Sequence, residues 1–409
     1  MRYVIIGNSA AGIGAVEGIR QVDKEGEIII ISREPYHTYS RPLISYLIYG
    51  KTDREKMKYR VDGFYEDMGC AFMGGKAVTQ ILPDKKEVGL DDGSKIAYDK
   101  LFVGTGSDPF VPPIEGLNTV NDKFTFMSLD DAVSLEKALS PEKRVLIMGA
   151  GLIGLKCAEA ILHKVKSIVV ADLAPRVLSS ILDGEGAGMI QKHLENKGIE
   201  FRLSAGVNKF ATDKAYLSTG EEVGFDILVI AAGVRPNTAL LKGIADVERG
   251  IIINEKSETS AKDIYAAGDC TQTKDISSGQ NKIMALLPNA YMQGECAGIN
   301  MAGGEATFDK AIPMNAIGFL GLHIITAGNY VGEVYKGDIK DGYKRLFYSD
   351  NKLNGYILIG DVQKAGIYTS LIRERTPLDT IDFGLICERP GLMAFTKETR
   401  CQKLGGIKA

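Results

Sequence analysis

A chain of 409 residues, 45% hydrophobic and 25% charged, has the composition of a globular protein long enough for two or three domains. Its net charge of −3 gives no electrostatic case for nucleic acid or an anionic membrane surface. No apolar run approaches the roughly 18 residues that span a bilayer. With the first strand starting at residue 3, no signal or transit peptide is expected, and a cytoplasmic protein is the economical reading. The six cysteines, Cys70, Cys157, Cys270, Cys296, Cys387 and Cys401, make no C-x-x-C pair. The four histidines, His37, His163, His193 and His323, make no H-E-x-x-H pattern, so a protein metal site is not expected.

In chain order, the apolar run Y-V-I-I at residues 3–6 stops at Gly7, G-N-S-A-A-G fills 7–12, and helical spacing begins at Ile13. A buried strand, a small-residue turn and a helix are the opening of a dinucleotide-binding βαβ unit. The turn lets backbone approach a pyrophosphate, and the helix N-terminus supplies N–H groups and positive dipole. Ser9 stands at the middle position, where the fingerprint has glycine. A second strand over 27–32 ends near Glu34, 22 residues beyond Gly12, where an acid can hold a ribose hydroxyl or simply be a solvated strand end. Arg41 and Pro42 precede a tyrosine-rich stretch suited to packing on a flat ring. Strands and hairpins are expected over 71–90, and a strand over 98–103 runs into G-T-G-S-D-P at 104–109. P-P-I-E-G at 112–116 marks a crossing between domains.

The plan then repeats. After a helix over 128–139 capped by Ser128 and Asp131, an apolar strand over 144–148 leads into G-A-G-L-I-G at 149–154, which satisfies G-x-G-x-x-G without exception. A helix over 155–165, a strand over 167–171 and Asp172, 18 residues past Gly154, complete the unit. The strand over 226–231 runs into A-G-V-R-P-N at 232–237, echoing 104–109. Y-A-A-G-D-C at 265–270 closes another strand, and L-P-N at 287–289 precedes a small-residue helix over 290–301. From residue 310 strands are expected over 311–318 and 323–328, with a hairpin over 344–359 turned at Asn354-Gly355 and a helix over 363–373. Residues 383–409 are poorly periodic and read as a surface arm.

The motifs at 7–12, 104–109, 149–154, 231–237 and 265–270, in this order, resemble the FAD/NAD(P)H pyridine nucleotide-disulfide oxidoreductase family. Within it the chain is most similar to the NADH:rubredoxin reductase branch and the flavin segment of NADH-dependent nitrite reductase. The resemblance implies an α/β fold: two nested Rossmann-like domains binding FAD and NAD, plus a C-terminal α+β interface domain. The boundaries expected are 1–115 with 241–309 for FAD, 116–240 for NAD(P)H, and 310–409 for the last domain with its tail.

It further implies that Gly7, Ser9, Ala10, Ala11 and Gly12 hold the FAD pyrophosphate, Glu34 the adenosine ribose, and Arg41 with Pro42 the pyrophosphate or ring edge. Val78 would offer backbone to the adenine, and Thr105 with Gly106 would lie along the same cofactor. Gly268 and Asp269 would meet the ribitol or phosphate end, with Leu287, Pro288 and Asn289 along the isoalloxazine. Gly149, Gly151, Leu152, Ile153, Gly154, Asp172, Gly233 and Val234 would hold the nicotinamide cofactor. Asp172 would repel a 2′-phosphate and so favours NADH over NADPH, although Arg176 follows four residues later.

Disulfide-reducing members keep a redox cysteine in the segment matching 35–50 and a C-terminal H-P-T. Here 43–45 reads L-I-S and 366–370 reads G-I-Y-T-S, so thiolate chemistry at the flavin is not expected. Lys156 stands where the family usually has Glu, as a catalytic cation favouring reduced flavin or as a surface lysine. Met127 stands where relatives place an Arg toward FAD. The function implied is hydride uptake from NADH and electron delivery to a small carrier such as rubredoxin or ferredoxin. The alternatives are the FAD subunit of a metalloenzyme assembly, an NADH oxidase, and a redox-sensing module without turnover. The last domain would face a redox partner or a second copy in a homodimer.

Overall fold

The computed structural model describes residues 1–337 and 342–405. The chain divides into two compact units. The first comprises Met1–Ser179, Leu194–Thr273 and Asn281–Asp309; the second comprises Ser180–His193, Lys274–Gln280 and Lys310–Ala409.

The first unit contains the same architecture twice. One five-stranded sheet runs Ile264–Ala266, Lys100–Val103, Arg2–Ile6, Glu27–Ser32, Cys70–Gly74, all parallel. The other runs Lys123–Thr125, Ile227–Ile230, Arg144–Met148, Ser167–Ala171, Ile199–Arg202, also all parallel. The central strands, V-I-I at 4–6 and V-L-I-M at 145–148, are buried on both faces, which is why they read as unbroken apolar runs. Each sheet is followed by a three-stranded antiparallel layer, built from residues 78–97 in one half and 207–224 in the other.

Helices Ala10–Val22 and Leu287–Met301 cross with their backbones in contact. A Cβ on Gly14 would lie 2.3 Å from the Tyr291 carbonyl oxygen, and one on Gly294 would lie 2.0 Å from that of Ala11. This crossing places the first turn of the second helix beside the glycine turn that starts the first. The second helix begins at Leu287, with Pro288 in its first turn, earlier than the small-residue spacing indicates. Likewise the helix after the second glycine turn is Leu152–Ile161, starting inside the motif.

The second unit is built on an antiparallel sheet ordered Met314–Phe319, Leu322–Gly328, Lys352–Ile359, Tyr343–Ser349, Glu333–Gly337. Helix Ala365–Arg373 covers it through Tyr368, Leu371 and Ile372. Two expectations fail here. The hairpin turns at Asp350-Asn351, both with positive φ (49° and 60°), and Asn354-Gly355 lies inside a strand. Gly355 is needed there because a Cβ would stand 2.3 Å from the Asn329 carbonyl oxygen. Residues 383–395 are not a free arm either. Asp382 caps helix Phe383–Glu388 by accepting the Leu385 N–H at 2.9 Å, and Ile386, Cys387, Ala394 and Phe395 are buried in the sheet–helix core. Helix Lys397–Leu404 follows, and 406–409 lie outside the described residues.

Candidate functional site

The two glycine turns have one geometry. Gly7 takes φ +111°, and a Cβ on it would be 2.2 Å from the Gly104 oxygen; Gly149 takes φ +122°, and its Cβ would be 2.2 Å from the Ala231 oxygen. A Cβ on Gly12 would be 2.0 Å from Gly7 O, and one on Gly154 would be 2.0 Å from Gly149 O. Glycine is therefore required to press strand, turn and helix together, and a backbone surface is left for a phosphate. Ser9 is the N-cap of Ala10–Val22 but makes no side-chain cap bond, and Ala10 and Ala11 are buried behind it. In the second turn the N-cap is Gly151, where a Cβ would meet nothing within 4 Å, followed by half-buried Leu152 and Ile153.

The later glycine elements are joined. Ser107–Pro109 pairs antiparallel with Val234–Pro236. Thr105 Oγ1 donates to the Asn237 carbonyl at 2.6 Å, Asn237 N donates to Gly106 O at 2.9 Å, and Asn237 Nδ2 donates to Thr105 O at 3.2 Å. Each half contributes one strand to a ribbon that ties them together. Gly106 (φ +65°) and Gly233 (φ +108°) stand at its two sides with open space over their Cβ positions. Val78 packs against the cluster containing Ile6, Ile31 and Val103, behind the first turn.

Around the first turn the acidic and basic residues pair with each other. Glu34 and Arg41, expected to act on separate parts of a cofactor, form one ion pair. Tyr39 donates to Glu34 at 2.6 Å, accepts the Leu129 N–H at 3.0 Å and lies under the Arg41 guanidinium at 5.4 Å. Burial raises the Tyr39 pKa, so the ring remains a neutral donor. Arg41 also donates to the Met127 carbonyl at 3.4 Å, so a guanidinium does reach position 127, although the side chain there is Met. Pro42 lies in the short turn Arg41–Leu43. Burial raises the Asp269 carboxyl above its ordinary value, opposed by the Ser107 hydroxyl at 3.2 Å and by Arg41. Gly268 N donates to buried Gln293 Oε1 at 3.0 Å, which fixes the Gly268-Asp269 turn to helix Leu287–Met301; Asn289, in that helix's first turn, is buried too.

Beside the first turn, Thr38 is 1% exposed, and neither its Oγ1 nor His37 Nε2 has a hydrogen-bond partner among the described residues. Thr38 N donates to Tyr65 Oη, which donates to Asn8 Oδ1, both at 3.0 Å. A buried hydroxyl without a partner is uncommon. With the glycine cradle and an N-terminus carrying no acidic residue, it fits a bound dinucleotide at this turn. In the second half, Asp172 accepts from Ala150 N through Oδ2 at 2.6 Å and from Ala174 N through Oδ1 at 2.7 Å, which anchors a carboxylate at the turn.

Lys156 is not a surface lysine. Its side chain is 14% exposed, ion-paired to the buried Glu159 one turn along the same helix, and its Nζ lies 4.6 Å from the Tyr46 ring centroid. Tyr46 belongs to helix Ile44–Tyr49 in the segment without cysteine, where Ser45 donates to the Pro42 carbonyl at 3.1 Å. Burial raises the Cys157, Cys270 and Cys296 thiols and pushes Cys70 and Cys387 up to about 11, so these cysteines are not thiolates. Among the described residues no cluster of His, Cys, Asp and Glu is placed to hold a metal, and no helix is long and apolar enough to cross a membrane. Sequence reading missed Tyr39, Thr38, Glu159 and Gln293, single polar residues within no motif.

The profile of the pyridine nucleotide-disulphide oxidoreductase family matches residues 1–294, and that of the rubredoxin NAD+ reductase C-terminal domain matches 313–376. The chain belongs to the pyridine nucleotide-disulphide oxidoreductase family. It is thus an oxidoreductase of a family that binds FAD and NAD(H). It is 31% identical over 392 residues to the NADH-dependent phenylglyoxylate dehydrogenase subunit epsilon of Aromatoleum evansii, covering 92% of each chain. It is 29% identical to the assimilatory nitrate reductase electron transfer subunit of Bacillus subtilis, with 91% of this chain matching 49% of that one. The crystal structure of NADH:rubredoxin oxidoreductase from Clostridium acetobutylicum superposes with a TM-score of 0.74 at 26% identity, covering 92% of this chain and 96% of that one.

Proposed function

We propose that the protein takes hydride from NADH onto FAD and passes electrons singly to a small redox protein of the rubredoxin or ferredoxin kind. The observation that carries this is the combination of two glycine turns of one geometry with a helix Ile44–Tyr49 that offers no thiol. FAD supplies the chemistry that the side chains lack, accepting a hydride and releasing electrons one at a time. The chain's own work is to bind and align. The first turn, with Ser9, Thr38 and Asp269, would hold FAD, with the Glu34–Arg41 pair beside it. The second turn, with Asp172, Gly233 and Val234, would hold NADH. Alignment of the two bound cofactors by these residues would account for catalysis without an obligatory acid or base.

The likeness to a dehydrogenase subunit along 92% of both chains supports a second reading, in which the same electrons enter a larger metalloenzyme. The test is anaerobic reduction of the holoprotein by NADH, followed by steady-state assays with purified rubredoxin and ferredoxin. Rapid flavin bleaching and turnover with either carrier alone is expected. Bleaching without turnover on any single small carrier would favour the subunit reading, and no bleaching would refute both.

A further inference from the structure

The Lys156–Glu159 pair lies on helix Leu152–Ile161, which follows directly from the second glycine turn, and its side chains are only 14% and 9% exposed. Exposed ion pairs contribute little, and buried ones cost their desolvation, so such a pair is poor evidence of stabilisation. The pair does not sit in a closed core. It borders a small opening lined also by Ser45, Tyr46, Tyr49 and Lys51 from the FAD-side half. Lys51 caps the other side of this group, with Nζ 4.2 Å from the Tyr49 ring and 6.0 Å from that of Tyr46. Two cations, two tyrosines and one carboxylate therefore meet where the two dinucleotide-binding halves touch. Lys156 is bonded to the carboxylate and is also set against an aromatic face of the opposite half.

We propose that Glu159 and Tyr46 are positioning residues for Lys156, holding its ammonium at the seam between the halves so that it governs how readily bound FAD is reduced by NADH. This rests on the proposed function above. Glu159 aims the ammonium from its own helix, and the Tyr46 face receives it from the other half by cation–π attraction. Neither residue acts on the cofactor except through Lys156, and that sets the test.

The experiment is a double-mutant cycle on the holoprotein with Lys156→Met, Glu159→Gln and the pair. It reads the flavin midpoint potential and the rate of anaerobic hydride transfer from NADH. Glu159→Gln is expected to slow hydride transfer about tenfold and to move the potential, but to add less than about twofold once Lys156 is Met. Tyr46→Leu, at a half-buried site, is expected to lose roughly threefold in the wild-type background and nothing in Lys156→Met, while Tyr46→Phe behaves as wild type. Equal effects of Glu159→Gln or Tyr46→Leu in both backgrounds, or an unmoved potential, overturn the proposal. A wild-type flavin that NADH does not bleach overturns the parent function and this inference together; an additive cycle in a bleaching enzyme overturns only this inference.

Discussion

At the end of strand Ser167–Ala171, the Asp172 carboxylate is anchored by two backbone N–H groups, one from the glycine turn and one from the residue two beyond it. An anion fixed in this way cannot swing aside for a second one. Under the proposed function, a ribose with free hydroxyls would donate to it, whereas a 2′-phosphate would meet a carboxylate that the backbone holds in place. Asp172→Ala should therefore raise KM for NADH and shrink the kcat/KM preference for NADH over NADPH by at least about tenfold, roughly 1.4 kcal/mol. Steady-state kinetics with both donors decide it, and an unchanged preference refutes the assignment. Asp172 was legible because strand, glycine turn, helix, strand and acid follow at fixed spacing. Tyr39 and Gln293 were not: Tyr39 reaches Leu129 N across 90 residues and Gln293 reaches Gly268 N across 25. Their partners are set by how the chain folds back, which leaves no local period.

Elements were legible where their burial imposes a pattern. The central strands of the two parallel sheets read correctly because strands covered on both faces must be apolar throughout, whereas the edge strands Lys123–Thr125 and Ile199–Arg202 lack that pattern and were not expected. The hairpin was misread because Asn-Gly is a strong turn signal, yet here the glycine serves a close backbone approach and the turn uses Asp350 and Asn351 in positive φ. The crossing of Ala10–Val22 with Leu287–Met301 shows the same use of glycine on a larger scale. Gly294→Ala would put a methyl group 2.0 Å from the Ala11 carbonyl oxygen, with backbone on both sides and no flexible side chain to yield. Overpacking of this kind costs about 1–3 kcal/mol or more, against a gain of about 1 kcal/mol in helix propensity. The variant should melt about 2–4 °C lower and lose FAD more readily, since this crossing seats the first glycine turn. Gly188→Ala, in helix Gly184–Glu195 with nothing within 4 Å of its Cβ, should not lower the melting temperature. Calorimetry of both checks the argument, and equal shifts would refute it.

Across the whole molecule, both parallel sheets set a late strand beside an early one, and in each an ion pair joins the starts of two neighbouring strands. Asp226 precedes strand Ile227–Ile230 and takes Arg144, at the start of the neighbouring strand, through two bonds of 3.1 and 3.0 Å. Asp263 precedes strand Ile264–Ala266 and takes Lys100, at the start of its neighbour, at 2.7 Å, with Lys86 also at 2.7 Å. The first contact spans 82 residues and the second 163, so each pins a late strand to an early one. Hydrogen bonding from Arg144 holds the Asp226 carboxyl down at about 2, and hydrogen bonding from Lys100 and Lys86 holds Asp263 down at about 2. A carboxylate with a depressed pKa stabilises the fold above its unfolded value near 4 and loses that contribution as pH falls toward the folded value. The window is therefore about pH 4 down to pH 2, with the effect fully present at neutral pH. Asp263→Asn should lower the urea midpoint at pH 7, and its difference from wild type should shrink steadily below pH 4. Lys100→Met should reproduce part of the loss at pH 7, because Lys86 still holds the carboxylate. The measurement is the urea midpoint of each protein at pH 7, 4 and 2.5. An Asp263→Asn difference that stayed constant over that range would mean the carboxylate acts by shape, and the sheets would then be closed by packing alone.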